Sequence, residues 1–196
     1  MNTKPKTSTQ IIVALALVLL IVLSRMAPHP PNFTAVGAVA IFSGAFFRNR
    51  WASFVPFAGM IISDLFLPHY AIMHRLIVYV AFGLTFGIGY LIRKHYKLST
   101  SVGAALASST IFFLVTNCVF LYTAGWGPVM YPHTIQGQVL SYTYALPFFK
   151  WSLLGDLAYS VAFFAAYRTL TSASLRLQFI KLTQQRRALY ARIKQN

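Results

Sequence analysis

The chain has 196 residues, of which 57% are hydrophobic and only 10% charged, against roughly 25% charged in an ordinary soluble domain. A water-soluble core of this size cannot absorb so much apolar surface, which excludes that class and points to helices set in lipid. The net charge of +15 arises from 17 Lys and Arg against 2 acids, but the basic residues flank apolar runs, where cytoplasmic loops place them, so nucleic acid is not an expected partner.

The pattern predicts an all-α integral membrane protein, a bundle of six transmembrane helices. The first span runs from Thr9 to Met26 around the unbroken apolar run Ile11 to Leu23. Lys4 and Lys6 precede it as in a signal peptide, but Arg25 stands where a cleavage site wants a small residue and Pro28 would follow the cut, so the segment is expected to be retained. The second span is Asn32 to Phe47, with Asn32 as N-cap after Pro30-Pro31. The third is Ala52 to Leu67. Both are short and would tilt or begin below the membrane surface. The fourth covers Arg75 to Ile92, the fifth Val102 to Thr123 and the sixth Pro147 to Tyr167, with Pro147 in its first turn.

Small residues at helix-packing spacing, Gly83 with Gly87, Ala40 with Gly44, and Ala104, Ala105, Ser108 and Ser109, predict close backbone contacts between spans. Residues 1–8 form a cytoplasmic N-terminus, 9–167 the membrane domain and 168–196 a basic tail. In that tail Leu175, Phe179, Leu182, Leu189 and Ile193 share one helical face, the pattern of an amphipathic helix lying on anionic membrane lipids.

Six spans place both termini on one side. With the N-terminus cytoplasmic, the outer segments hold only Arg25, Arg75 and Lys150, and every other Lys and Arg falls inside. Positive charge collects in cytoplasmic loops, so the expected location is a bacterial inner membrane with both termini in the cytoplasm. The single cysteine, Cys118, excludes an intramolecular disulfide.

The only two carboxylates, Asp64 and Asp156, lie inside apolar stretches. A charged side chain at mid-bilayer costs about 2.5–3.5 kcal/mol, so such residues are candidates for function. On the expected topology Asp64 is near the outer end of the third span, Asn117 near that of the fifth, and Asp156 about two turns below the outer start of the sixth. Arg25, Arg75 and Lys150 mark outer ends, and His29, His69, His74 and His133 fall in outer loops. The second, fourth and sixth helices begin at that face, and their free N–H groups and partial positive charge attract anions.

The convergence predicts a pocket, open to the outside, for a small anionic or zwitterionic solute. Its contacts would be Asn32, Asp64, Asn117, Asp156, Arg25, Arg75 and His133. Each has a plainer role open to it. Asp64 can pair with Arg25 or Arg75, Asp156 with Lys150, and Asn117 can bind a neighbouring helix. Tyr122, Trp126, Tyr131, Tyr142 and Tyr144 can form an interfacial belt or line the pocket. The histidine spacing gives no metal-binding pattern, and there is no HExxH, GxSxG or P-loop. No metal, cofactor or catalytic residue is expected.

The run Pro28-His29-Pro30-Pro31-Asn32-Phe33-Thr34-Ala35-Val36-Gly37-Ala38 resembles the signature of the DUF6580 family, taken to comprise bacterial transport proteins. Further matches follow in order: Val55-Pro56, Ile62-Ser63-Asp64-Leu65, Phe112 to Asn117, Tyr131-Pro132-His133-Thr134, Ala145 to Phe149, and Leu154-Gly155-Asp156-Leu157. The resemblance covers Arg25 to Tyr167. That family resembles the substrate-capture (S) subunits of energy-coupling-factor importers, six-helix proteins that bind vitamins or related micronutrients from outside.

What the resemblance implies is a transmembrane coupling subunit with ATPases as partner, Asn32, Asp64, Asn117 and Asp156 as motif residues, and the loop from Met26 to Pro31 as a lid. The chain departs from those subunits in lacking an AxxxA motif on the first helix, where Ala14 and Ala16 stand, and in carrying Lys150-Trp151 after Pro-Phe-Phe. Two other classes stay open, a membrane scaffold or assembly factor without transport, and an intramembrane enzyme acting on a lipid-like substrate.

Overall fold

The computed structural model describes residues 7–47, 51, 54–68, 71–122 and 131–193, with side chains as far as 170. All regular structure among the described residues is helical: α1 Thr7–Met26, α2 Val36–Phe46, α3 Phe54–Asp64, α4 Ile72–Ile92, α5 Leu98–Thr116 and α6 Ile135–Ile193. Short 3-10 turns cover Arg93–His95 and Val119–Leu121. The chain divides into two compact units, Met1–Val161 and Ala162–Asn196. The second is helical to Ile193, but the side chains that would form its amphipathic face lie outside the described ones, as do Lys4, Lys6, Arg48, Arg50, His69 and Trp126.

Three helical stretches are long and apolar enough to cross a membrane: Thr7–Met26, Ile72–His95 and Leu98–Thr116. Helices α2 and α3 have 11 residues each, about 16 Å at 1.5 Å per residue, roughly half the hydrocarbon thickness. Each is therefore shorter than the span expected from sequence.

The reasons are local. Pro30 to Phe33 form a β-turn closed by a hydrogen bond from Phe33 N–H to the Pro30 carbonyl (3.0 Å). Asn32 has φ 67°, the left-handed value wanted at the third position of a type II turn with proline before it. Asn32 is thus a turn residue and not the N-cap of α2. That place belongs to Ala35, whose N–H donates to Ser24 Oγ on α1 (3.1 Å).

Pro147, expected in a first turn, lies inside α6. The helix starts earlier because Thr134 caps it, its Oγ1 accepting the Gly137 N–H (3.1 Å). Helix-interior proline is tolerated in membrane helices, where neighbours satisfy the freed carbonyl. Helix α5 also starts early, with Thr100 Oγ1 accepting the Lys97 N–H (3.0 Å). It ends at Thr116 because the side chains of α6 claim its terminus: Gln138 Nε2 and Ser141 Oγ both donate to the Asn117 carbonyl at 2.9 Å.

Burial in the first unit departs from that of a soluble protein, because hydroxyls are buried beside core residues such as Ile21, Ile41 and Met60 while many large apolar side chains are exposed. Ser43, Ser63, Thr85, Ser101, Ser108 and Ser109 are fully buried. On α1 the stripe Leu15, Leu19 and Leu23 is more than half exposed. Lipid replaces water outside, so large side chains face outward while small hydroxylated ones let helices approach and bond one another. Thr85 Oγ1 meets Ser108 Oγ at 3.1 Å between α4 and α5, and Ser101 Oγ donates to the Ser160 carbonyl of α6. Helix α1 packs on α3, α2 on α4, and α4 on α5.

Helices α2 and α4 approach backbone to backbone at Gly44 and Gly89. A Cβ on Gly44 would lie 2.7 Å from Tyr90 N and overlap the Phe86 carbonyl, and one on Gly89 would overlap the Ile41 carbonyl. The expected pair Gly83 and Gly87 does not make this contact: a Cβ on Gly83 would meet only Phe57 at an ordinary 3.6 Å, and one on Gly87 would meet nothing. Spacing alone identified a small-residue face but selected the wrong side of α4. Gly89→Ala is expected to lower stability by about 1–3 kcal/mol through overpacking, while Gly87→Ala is expected to be neutral or slightly stabilising. Thermal unfolding of both variants in one detergent checks the contrast.

Candidate functional site

The ends of α1, α3 and α5, the starts of α2 and α4 and the stretch of α6 from Ala145 to Asp156 supply the site. At the C-terminal end of α3, Asp64 is buried and paired on both oxygens. Arg25 Nη1, from the last turn of α1, lies 2.7 Å from Oδ1, and Arg75 Nε, from the first turn of α4, lies 3.5 Å from Oδ2. Tyr79 donates to Oδ2 at 2.7 Å. Arg25 is held further by Ser63 Oγ (2.6 Å) and the Met60 carbonyl (3.1 Å). One carboxylate thus fastens two arginines and three helices, which is the structural pairing open to Asp64 from sequence.

Asp156 is arranged differently. It is 5% exposed and accepts hydrogen bonds from Ser109 Oγ (2.7 Å) and Ser108 Oγ (3.2 Å) of α5 and from the Ala38 backbone of α2. Ala38 is in the first turn of α2, where N–H groups lack helical partners, so a carboxylate from α6 caps α2 from outside. Gly37 makes room for it, since a Cβ there would lie 2.7 Å from the Asp156 carboxyl carbon. The pairing with Lys150 is not formed. Lys150 Nζ sits 4.8 Å above the Trp151 ring.

Two adjoining cavities open among these ends, each of about 380 Å³. Both are bordered by Asn32, Val78, Phe112 and Ser152. Arg25, His29, Gly37, Met60, Phe82 and Asp156 complete most of the first. His74, Phe113, Thr116, Asn117, Tyr122, Phe148 and Phe149 complete most of the second.

Of the candidates read from sequence, Arg25, Asn32, Asn117 and Asp156 border a cavity. Asp64 and Arg75 do not, and stand behind Arg25. The Asn117 side-chain amide donates to the Phe113 carbonyl (2.8 Å) and to Thr116 Oγ1 (3.3 Å), so its donors serve the end of its own helix. His133 is exposed, with its ring 6.3 Å from that of Phe120, and borders neither cavity. His29 Nδ1 is 2.7 Å from the Pro30 carbonyl, which ties it to the turn.

Several contributors were not singled out as site residues from the sequence. The spacing of Ser108 and Ser109 points to helix packing, although two adjacent hydroxyls in an apolar span are also a donor pair awaiting an acceptor. Phe112 stands in one of the runs that resemble the family signature, and Tyr79 and Phe82 carry no distinguishing signal. No group of His, Cys, Asp or Glu that could hold a metal ion occurs among the described residues.

Neither a curated protein nor a solved structure matches this chain. Residues 5–179 match one family model, described as a family of unknown function. The match is wider than the Arg25 to Tyr167 segment recognised by motif, taking in all of α1, and it assigns no activity. The chain is accordingly a member of the DUF6580 family.

Proposed function

We propose that this protein is a six-span membrane protein that captures a small anionic or zwitterionic solute from the outer side, for uptake. The observation that carries the reading is Arg25. It is a permanent cation, immobilised by Asp64, Ser63 and Met60, yet it borders a cavity that also holds Asp156. Pre-fixed charge at a largely apolar cavity wall is what small-molecule sites use for orientation. Arg25 would take the anionic group, and Asp156 any cationic one. The turn at Pro30 to Phe33 forms one lip, as a gate would.

In this reading α2 and α3, too short to cross alone, complete their passage with the loops that flank them. Both termini are cytoplasmic, in an inner membrane. The chain carries no nucleotide-binding motif, so energised uptake would draw on a separate coupling subunit with ATPases.

The test uses a Cys118→Ala background with single cysteines at Asn32 or Thr116. A membrane-impermeant maleimide applied to intact cells is expected to label both, and a co-purified solute seen by native mass spectrometry is expected to slow that labelling. Labelling only from inverted vesicles would overturn the outward-open site.

A further inference from the structure

The two cavities differ in chemistry, and that difference narrows the ligand. The first has charged groups on its wall, Arg25 and Asp156, with His29 beside them. The second has no Lys, Arg, Asp or Glu on its wall and carries a cluster of rings, Phe112, Phe113, Tyr122, Phe148 and Phe149. Its rings also pack on one another: Phe113 lies 4.8 Å from Phe149 and 5.3 Å from Tyr142, and His74 lies 4.5 Å from Tyr122. Phe112, on the border of both cavities, packs on Phe82 at 4.9 Å. Such packing leaves ring faces and edges for a flat guest, which aromatic walls favour in stacked or edge-to-face contact.

Size points the same way. A carboxylate or phosphate beside Arg25 fills only a small part of the first cavity's roughly 380 Å³, whereas pockets of about 300 to 1,000 Å³ take whole organic molecules. The two chambers adjoin, with Asn32, Val78, Phe112 and Ser152 on the border of both.

We propose that the solute is a two-part molecule, with an anionic head at Arg25 and an uncharged aromatic ring in the Phe112–Phe113–Phe149 chamber. This rests on the solute-capture reading and deepens it. The ring contributes affinity by leaving water, and the head fixes orientation. A cationic head is disfavoured at Arg25, and a charged ring would find no counter-charge in the second chamber.

The test is thermal unfolding of the full chain in one detergent, with acetate, indole, tryptamine and indole-3-acetate titrated separately. Indole-3-acetate is expected to stabilise the protein with an apparent affinity at least about tenfold tighter than acetate. Indole and tryptamine should fall well short of it, and indole also controls for partition into micelles. Phe149→Ala is expected to reduce the indole-3-acetate response to that of acetate while leaving the acetate response intact. Phe113→Leu, which keeps apolar volume but removes the ring, provides the same reading should Phe149→Ala fail to fold. Equal responses to acetate and indole-3-acetate would overturn the ring chamber and leave anion capture standing. Equal responses to indole and indole-3-acetate would overturn the head at Arg25. No response to any of the four would overturn both readings.

Discussion

Asp64→Asn is expected to lower stability by about 3 kcal/mol or more, since removing one partner of a buried ion pair leaves uncompensated charge. The side chain of Asp64 is 4% exposed, and those of Arg25 and Arg75 are 14% and 26% exposed. Neither arginine can shed its proton, so both would stay charged around a neutral amide. The amide oxygen could still accept from Tyr79 or one arginine, but only as a dipole. Water entering the cavity at Arg25 would soften the loss, which places the estimate at the lower end of the usual range.

The double variant Asp64→Asn with Arg25→Gln is expected to recover part of the stability, because one stranded charge is gone. Non-additivity of about 0.5–3 kcal/mol is normal for residues in contact. Thermal unfolding of the four proteins of this cycle in one detergent measures it. A single variant Asp64→Asn that unfolds with the wild type would show that the two arginines draw their stability from elsewhere. The same variant should also weaken solute binding, since Arg25 loses its strongest anchor while keeping its charge.

How much of this arrangement could be read from the chain depends on the kind of signal. Membrane class followed from composition, because lipid is the only surroundings in which so few charges and so many large apolar residues fit together. Every one of the six expected spans has a helix at its centre, since runs of apolar residues dictate hydrogen-bonded helices in lipid. The ends were another matter. They depend on single side chains, such as Thr134 capping α6 or Ser24 reaching Ala35, and several of those partners are distant in sequence. Asn32 illustrates the ambiguity: the dipeptide before it suits both a helix cap and a type II turn, and only the hydrogen bond back to Pro30 decides.

The Arg25–Asp64–Arg75 cluster was legible as one of several pairings, because opposite charges in lipid must find each other and few were present. The environment of Asp156 was not. Its partners are two serines of α5 and a backbone N–H of α2, groups that occur in every membrane helix, and nothing in their spacing points to a carboxylate on α6. Gly37 stands in the run that resembles the family signature, which gives it no role by itself. Its function as clearance for Asp156 appears only when α6 is laid against α2.

Asp156→Ala should be the second severe change, and its comparison with Asp156→Asn separates hydrogen bonding from charge. The alanine variant removes the acceptor for Ser108, Ser109 and Ala38 together. The two serine hydroxyls can rotate back to carbonyls of their own helix, as serine in membrane helices commonly does, so the cost concentrates on the first turn of α2. A buried donor left without a partner costs about 1–3 kcal/mol, and loss of a negative group at a helix N-terminus adds about 0.3–1 kcal/mol. A total of about 1–4 kcal/mol is expected from the two together. Asp156→Asn keeps an acceptor oxygen in place and should lose only about 1 kcal/mol, the charge-dependent part.

Solute binding should sort the same two variants differently. If Asp156 meets a cationic group of a zwitterion, Asp156→Asn weakens binding strongly while barely moving the unfolding temperature. If Asp156 serves only as the cap of α2, binding follows stability, with the asparagine variant close to wild type in both. Gly37→Ala supplies an independent check, because it displaces the carboxylate without altering its charge. It should resemble Asp156→Ala in stability, and a Gly37→Ala protein as stable as wild type would mean that the carboxylate does not rest against the start of α2.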